Sequence, residues 1–410
     1  MNNIVLFGGS NSAMKNGLRE GLSNYAKLLN LSLSASTAIQ NLYELKREKN
    51  QEFILNADLI VTESNLNEIV YHSESINLHL NLIARNLQWF YESLSKYNKP
   101  VCILILPYWD ENYEKINNMH RYFENFYVFN VIDMHNYYDI KNLKNFGESL
   151  DRLHQMNIIM RHLGENISKN IKYFHMPKQN ISSLKLPNFK VLTPREMIGH
   201  GIFKTFNPKS FLYNEIVFRL EGDNYLSIDI NGKYVGYEVI GIHSWNLEED
   251  GSTSRCNPNQ SMLCRNSVIL GDDINQVRKT TAKLNQFLEV QTELIISNNF
   301  TIKHNNHYVV NTEISLLDIY LNKPHSYSTH FDLVSLFLCS PYDKSDLLDL
   351  DKIPSDEVIK IEPNHDFTYL IPDIEFYRDC MDFVDEYFEK VLKPKIQECI
   401  KEELFKHKVI

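Results

Sequence analysis

Five short apolar runs, each followed by a helical pattern, fill residues 1–174 and leave few folds open to the chain. Residues 4–7, 28–33, 59–62, 101–106 and 128–132 read as strands. Residues 13–25 read as a helix with Leu18 and Leu22 at helical spacing, and residues 37–55 and 114–126 read as two more. Residues 75–97 carry Leu78, Leu82, Leu87 and Phe90 along a longer helix, and 154–171 closes the region as another. Strands that are apolar with little alternation are buried on both faces, and strands that alternate with helices pair in parallel. The expectation is a three-layer α/β/α domain around a central parallel sheet. Ligands of such sheets sit beyond the carboxyl ends of the strands.

Residues 175–372 have a different texture. Pro177, Pro187, Pro194 and Pro208 punctuate the entry. Alternating patterns follow at 215–220, 225–230 and 234–243, with Asn231-Gly232 as a tight-hairpin signal before the last of them. Residues 287–296, 301–302, 308–314 and 369–371 also fit strands, whereas 248–265 is polar and reads as a long loop. This predicts an antiparallel β-rich domain built as a sandwich. Residues 373–410 form a C-terminal helical segment interrupted at Pro394. Phe376, Met381, Phe383 and Phe388 give it an apolar face, read as packing against the core.

Charge removes several function classes. Lys plus Arg is 42 and Asp plus Glu is 52, a net charge of −10. Nucleic acid is therefore excluded as the main partner, since phosphate binding needs clustered positive charge. The same balance argues against a basic membrane-surface helix. No apolar run approaches the ~18 residues needed for a membrane span. The chain starts on a strand with no leader pattern, so a cytoplasmic protein is expected. The six cysteines show no CxxC spacing and read as reduced thiols, with no metal site. His304 and His307 are spaced oddly for a metal and read as solvated. The oligomeric state is not legible.

The residues that carry chemistry fall where the sheet ends. Phe7-Gly8-Gly9-Ser10-Asn11-Ser12 lies between the first strand and the first helix. The glycines allow a sharp turn, and a serine at a helix N-terminus meets N–H groups that can hold an oxyanion. The same serines could equally be helix caps or bind phosphate. Residues 30–35, Asn-Leu-Ser-Leu-Ser-Ala, end the second strand, and 63–68, Glu-Ser-Asn-Leu-Asn-Glu, form a loop after the third. An Asn amide there can donate to an oxyanion, although turn and capping roles are the ordinary ones. Asp151-Arg152-Leu153-His154 starts the last helix, and a carboxylate three residues before a histidine can orient its ring as a general base.

Taken in order, these segments resemble the blocks of the SGNH, or GDSL-like, hydrolases. The resemblance covers residues 1–174. It implies that Ser10 is the nucleophile and that Asp151 and His154 complete the triad. It further implies that Ser10 and Ala35 supply backbone N–H groups, and Asn67 its side chain, to an oxyanion hole. Three positions depart from the family pattern. Gly9 replaces the Asp of G-D-S, Ala35 replaces a Gly, and Asn67-Glu68 stands where Asn-Asp is usual. An SGNH domain followed by a β-rich domain is similar to bacterial enzymes that O-acetylate capsule or lipopolysaccharide sugars. That likeness implies acetyl-CoA as co-substrate, no permanently bound cofactor and a polysaccharide or oligosaccharide acceptor. An esterase that removes acetyl groups uses the same chemistry and is the alternative. Tyr108 and Trp109 could line the pocket, whereas Tyr237, His243 and Trp245 read as core aromatics.

Overall fold

The computed structural model describes all residues except 74–75, 150, 179–184, 229–231, 254–263, 308, 315–325 and 408–410, with side chains described through residue 400. The Asn231 half of the hairpin signal, and parts of the strands expected at 225–230 and 308–314, lie outside the described residues, as does much of the 248–265 loop.

The first layer is an α/β/α sandwich. Strands β1 (Asn2–Phe7), β2 (Ala26–Asn30), β3 (Leu59–Glu63), β4 (Val101–Ile105) and β5 (Asn130–Asp133) pair in parallel in the order β2-β1-β3-β4-β5. Alternate side chains of β1 serve opposite cores. Val5 and Phe7 face one cluster with Ile60 and Ile103, while Ile4 and Leu6 face the other with Leu59, Val61 and Leu104. All nine are solvent-free, which is why these strands read as continuous apolar runs. The strand order reverses at β1, so the carboxyl ends of β1 and β3 form the switch-point crevice of an open parallel sheet.

The helices are more broken than their periodicity suggests. The expected 13–25 helix is α1 (Ser10–Ala13) plus α2 (Leu18–Ser23), and 37–55 is α3 (Ala38–Lys46) plus α4 (Glu48–Leu55) with Arg47 extended between them. The expected loop at 63–68 is a helix, α5 (Asn65–His72). Its Asn65 side chain donates to Leu106 O (2.8 Å) and accepts from Leu106 N–H (2.9 Å), so an apparent turn residue finishes the β4 edge. Next come α6 (Leu80–Ser95), α7 (Tyr113–Tyr127), α8 (Met134–Ile140), α9 (Lys144–Ser149) and α10 (Asn157–Lys169). Helix α10 starts three residues after His154, which places the Asp151–His154 segment in a turn before the helix.

The second region is the expected antiparallel sandwich. One sheet runs Gln276–Ala282, Cys264–Gly271, Thr301–His304, Tyr225–Ser227, Ile198–His200. The other runs Asn285–Glu289, Glu238–Trp245, His330–Cys339, Val217–Glu221, Lys204–Phe206. Val239, Ile242, Leu270, Ile302 and Leu336 fill the space between them. The second sheet also packs on α3, through Phe287, Phe337 and Trp245, in one core with the first layer. That seam is strongly polar for a buried one. Tyr43 shares its hydroxyl with His243 Nδ1 (2.8 Å) and Ser335 (2.7 Å), and Arg47 clasps Glu215 with two bonds (2.8 and 2.6 Å).

Three expectations fail here. Residues 369–371 belong to a 3-10 turn, Thr368–Leu370, because the strand-like contact falls earlier: Phe367 N–H and His365 O pair with Val131 on β5. His304 is buried, with Nε2 on Ser328 O (3.2 Å), and is not solvated. The apolar face of the C-terminal helices, α11 (Ile374–Tyr387) and α12 (Lys393–His407), does not pack on the core. Phe376, Phe383 and Phe388 are 59%, 69% and 44% exposed, because the apolar contacts with the first layer, among the described residues, are made by Ile374, Tyr377 and Met381. The stretch before Pro394 is a π-helical turn, Phe388–Leu392, a local adjustment where the proline has no N–H to donate.

Candidate active site

Ser10 sits at the first position of α1, directly past the carboxyl end of β1. Asn11, 3% exposed, decides what stands opposite. Its side-chain amide donates to Leu153 O (3.0 Å), and its oxygen accepts from Gln155 N–H (2.9 Å). The segment that carries His154 is thereby clamped to the helix that carries Ser10.

The result is a linear chain of three groups. Asp151 Oδ2 accepts from His154 Nδ1 at 2.6 Å, and His154 Nε2 faces Ser10 Oγ at 2.9 Å. With Nδ1–H given to the carboxylate, Nε2 keeps the lone pair that a serine proton can join. Desolvation pushes the Asp151 carboxyl up, but bonds from His154 and from Leu153 N–H (3.0 Å) outweigh it and hold it below the usual carboxylate range. Asp151 is 61% exposed and His154 29%, so the chain is open to solvent.

The three oxyanion candidates also converge on this turn. Among the described residues, neither Ser10 N–H nor Ala35 N–H donates to any protein group. Asn67 Nδ2 donates one hydrogen to Ser36 O (2.7 Å) and retains the other. It lies so close to Gly9 that a Cβ there would sit 2.0 Å from the nitrogen. A side chain at position 9 would therefore collide with the Asn67 amide, which occupies the space. Ala35 has φ +57°, the left-handed region that favours glycine. Helix α5 holds the Ala35 loop there through Asn67, through Tyr71 O–H on Ala35 O (2.7 Å), and through Glu68, which accepts from Ala38 N–H (2.8 Å).

Two residues that motif reasoning passed over do structural duty around the turn. Glu63, buried at the end of β3, accepts from Gly9 N–H (2.8 Å) and Ser12 O–H (2.9 Å). It fastens the nucleophile turn from below. Burial raises its carboxyl above the usual range, and the Ser12 and Gly9 bonds only partly offset that. With its hydroxyl spent on Glu63 and no exposure, Ser12 is neither nucleophile nor cap. A lone acid closing a buried apolar strand was the available signal for Glu63. Asn11 carried no such signal, because its partners lie 142 and 144 residues away.

No family model and no curated protein matches the chain. Solved structures of similar shape exist. They include the lipase Lip_vut3 from a goat rumen metagenome (15% identity, 42% of this chain and 96% of that one, TM-score 0.32). A GDSL-like lipase described from Parabacteroides merdae gives 13% identity, with 42% and 94% covered and a TM-score of 0.31. AlinE4, an SGNH-hydrolase family esterase, gives 14% identity, with 42% and 93% covered and a TM-score of 0.29.

Tyr108 and Trp109 are nearly buried beneath the Asp151 turn. Arg152 spans them, donating to Trp109 O (3.1 Å) with its guanidinium over the Tyr108 ring, so they support the turn. His243 and Trp245 are buried as core aromatics. Among the described residues no cluster of His, Cys, Asp or Glu is arranged to hold a metal ion.

Proposed function

We propose that the chain is a serine-dependent acyltransferase of the SGNH type, moving an acetyl group from acetyl-CoA to a hydroxyl of a bacterial capsule or lipopolysaccharide glycan. The observation that carries the acyl chemistry is the Ser10–His154–Asp151 chain at 2.9 and 2.6 Å, beside two backbone N–H groups that have no partner among the described residues.

In this reading Ser10 Oγ attacks the thioester carbonyl as its proton passes to His154 Nε2. The carbonyl oxygen becomes an oxyanion held by Ser10 N–H, Ala35 N–H and Asn67 Nδ2, each donor typically worth about 3 kcal/mol. Collapse expels the thiolate, which takes the proton from His154 and leaves as the thiol, with the acetyl group on Ser10. An acceptor hydroxyl then gives its proton to His154 and its oxygen to the acetyl carbon, and Ser10 leaves with the proton returned. Asp151 holds the imidazole and balances its charge in both halves.

The alternative, an esterase that removes acetyl groups, is favoured by one feature. Asp151 and His154 are open to solvent, so water can reach the acyl-enzyme. What favours transfer is the cavity between the β-sandwich and the far end of the Ser10 helix at Ala13, which offers walls for an acceptor.

The test is incubation with acetyl-CoA, with and without candidate glycans, following thiol release. Transfer predicts slow release that quickens with the right glycan and an acetylated glycan product. Release indifferent to every glycan, or turnover of acetylated glycans alone, makes the esterase the better account.

A further inference from the structure

A cavity of about 360 Å³ opens between the two regions, one helical turn from the nucleophile. Ala13, at the far end of the Ser10 helix, and Ser34, next to Ala35, form one wall. Trp245, Lys283 and Asn285 of the sandwich form the other, and Lys209 stands at its rim. Its volume falls in the lower part of the ~300–1,000 Å³ range of small-molecule sites.

The charge points to what it takes, because it is one-sided. In a chain of net charge −10, no carboxylate is among the described lining residues, while Lys209 and Lys283 are. Lys283 is paired with Glu248 (2.6 Å), but no carboxylate among the described residues pairs with Lys209. Hydroxyls of Ser34, Ser210 and Thr253 complete a wall suited to many hydroxyl partners beside one negative charge. Among the described lining residues there is no arginine to clasp a phosphate in two-pronged fashion.

We infer that this cavity binds the saccharide part of the substrate, and that the saccharide is acidic, carrying a carboxylate that Lys209 meets. The inference rests on the acyl-transfer reading for its purpose, and it holds for either direction of the chemistry, since acceptor and acetylated glycan share that part. Ala13 lies roughly 5 Å along the helix from Ser10. The cavity therefore suits a ring next to the reacting hydroxyl.

Binding can be measured by calorimetry on the full chain carrying Ser10→Ala. The probes are tetragalacturonate, tetrasialic acid, neutral cellotetraose and coenzyme A. At least one acidic probe should bind about tenfold tighter than cellotetraose, and raised salt should erase most of the difference. Adding Lys209→Ala should weaken the acidic probe about tenfold at unchanged melting temperature, whereas Lys303→Ala, an exposed lysine elsewhere on the sandwich, should not. Equal affinity for acidic and neutral probes, no binding of either, or displacement of the acidic probe by coenzyme A would overturn the inference. The salt dependence stands without any lysine variant. Acidic-saccharide binding in a protein without esterase or transferase activity would sink the catalytic reading alone. Ester turnover without saccharide binding would sink the cavity alone.

Discussion

Two chains of carboxylate, imidazole and hydroxyl lie in the α/β layer, and they differ chiefly in water. Asp151, His154 and Ser10 run from an exposed turn to a crevice. Glu68, His120 and Tyr91 run through the core: Glu68 Oε2 is 3.0 Å from His120 Nε2, and Tyr91 O–H is 2.6 Å from His120 Nδ1. All three are at most 1% exposed, and burial pushes the Tyr91 hydroxyl far above its ordinary range. No substrate reaches that chain. Its other contact, Glu68 on Ala38 N–H, shows its use: it braces the loop that presents Ala35. The same chemical groups are a strut when dry and, in the proposed reading, a reactive relay when one end meets solvent. A carboxylate beside a histidine is therefore weak evidence of a site until its exposure is known.

Substitutions should separate the two. Ser10→Ala should lower kcat roughly 10⁴-fold or more at unchanged melting temperature, and adding His154→Ala should cost little further, because the groups act as one unit. Effects that multiply would mean that the exposed chain is not a relay. His120→Phe should show the opposite profile. Leaving Glu68 Oε2 buried without its His120 partner costs roughly 1–3 kcal/mol in denaturant unfolding. Asp151→Asn, on the exposed pair, should cost under ~1 kcal/mol of stability while cutting activity. Equal stability losses for His120→Phe and Asp151→Asn would erase the distinction.

A further variant probes a dry carboxyl at the seam. Burial raises Glu289 to about 7, against relief from Arg85, Asn86 and Lys279. A raised carboxyl contributes stability while protonated, and that contribution is lost as pH rises through the folded value. Glu289→Gln can still accept from Asn86 (2.5 Å in the native pair). It should thus gain on the native chain above pH 7, by up to roughly 3 kcal/mol, and match it near pH 4.5. A gap that does not change with pH between 5 and 8.5 would remove Glu289 from the account.

Asn11→Ala should release the His154 turn, lowering kcat on the order of 10²-fold with KM little changed. A pure KM effect would assign Asn11 to substrate contact. The smallest expected change is Ala35→Gly. Relief of the left-handed backbone, about 1 kcal/mol, is partly cancelled by the looser unfolded chain. The melting temperature should hold or rise slightly, and a clear loss would mean that the Ala35 methyl packs as well as strains.

What the sequence made legible follows the same line between buried apolar and buried polar. The strands of the first sheet were readable because both faces are dry and apolar, and the ends of β1 and β3 then located Ser10 and Asn67. Strand His330–Cys339, the centre of the second sheet, was not found although every residue in it is buried. Asp332 and Ser335 interrupt its pattern, and their partners, Arg219 (2.8 Å) and Tyr43, are 113 and 292 residues distant. Gln276–Ala282 hides in the same way, since buried Lys279 answers Glu313 (2.5 Å). A side chain satisfied only in three dimensions looks like a surface residue in one. Asn11 and Glu63 escaped notice for that reason. The C-terminal face failed in the other direction: its periodicity is real, but only its first turns meet the core.

The central claim is that Ser10, and no other hydroxyl, is the activated nucleophile. Intact-mass spectrometry after exposure to an alkyl fluorophosphonate tests it most directly, since the reagent phosphonylates an activated serine and expels fluoride. The account predicts a single adduct that maps to Ser10, forms far more slowly in His154→Ala and is absent from Ser10→Ala. An adduct on Ser12 or elsewhere, or no adduct while the native chain still turns over an ester, would contradict it.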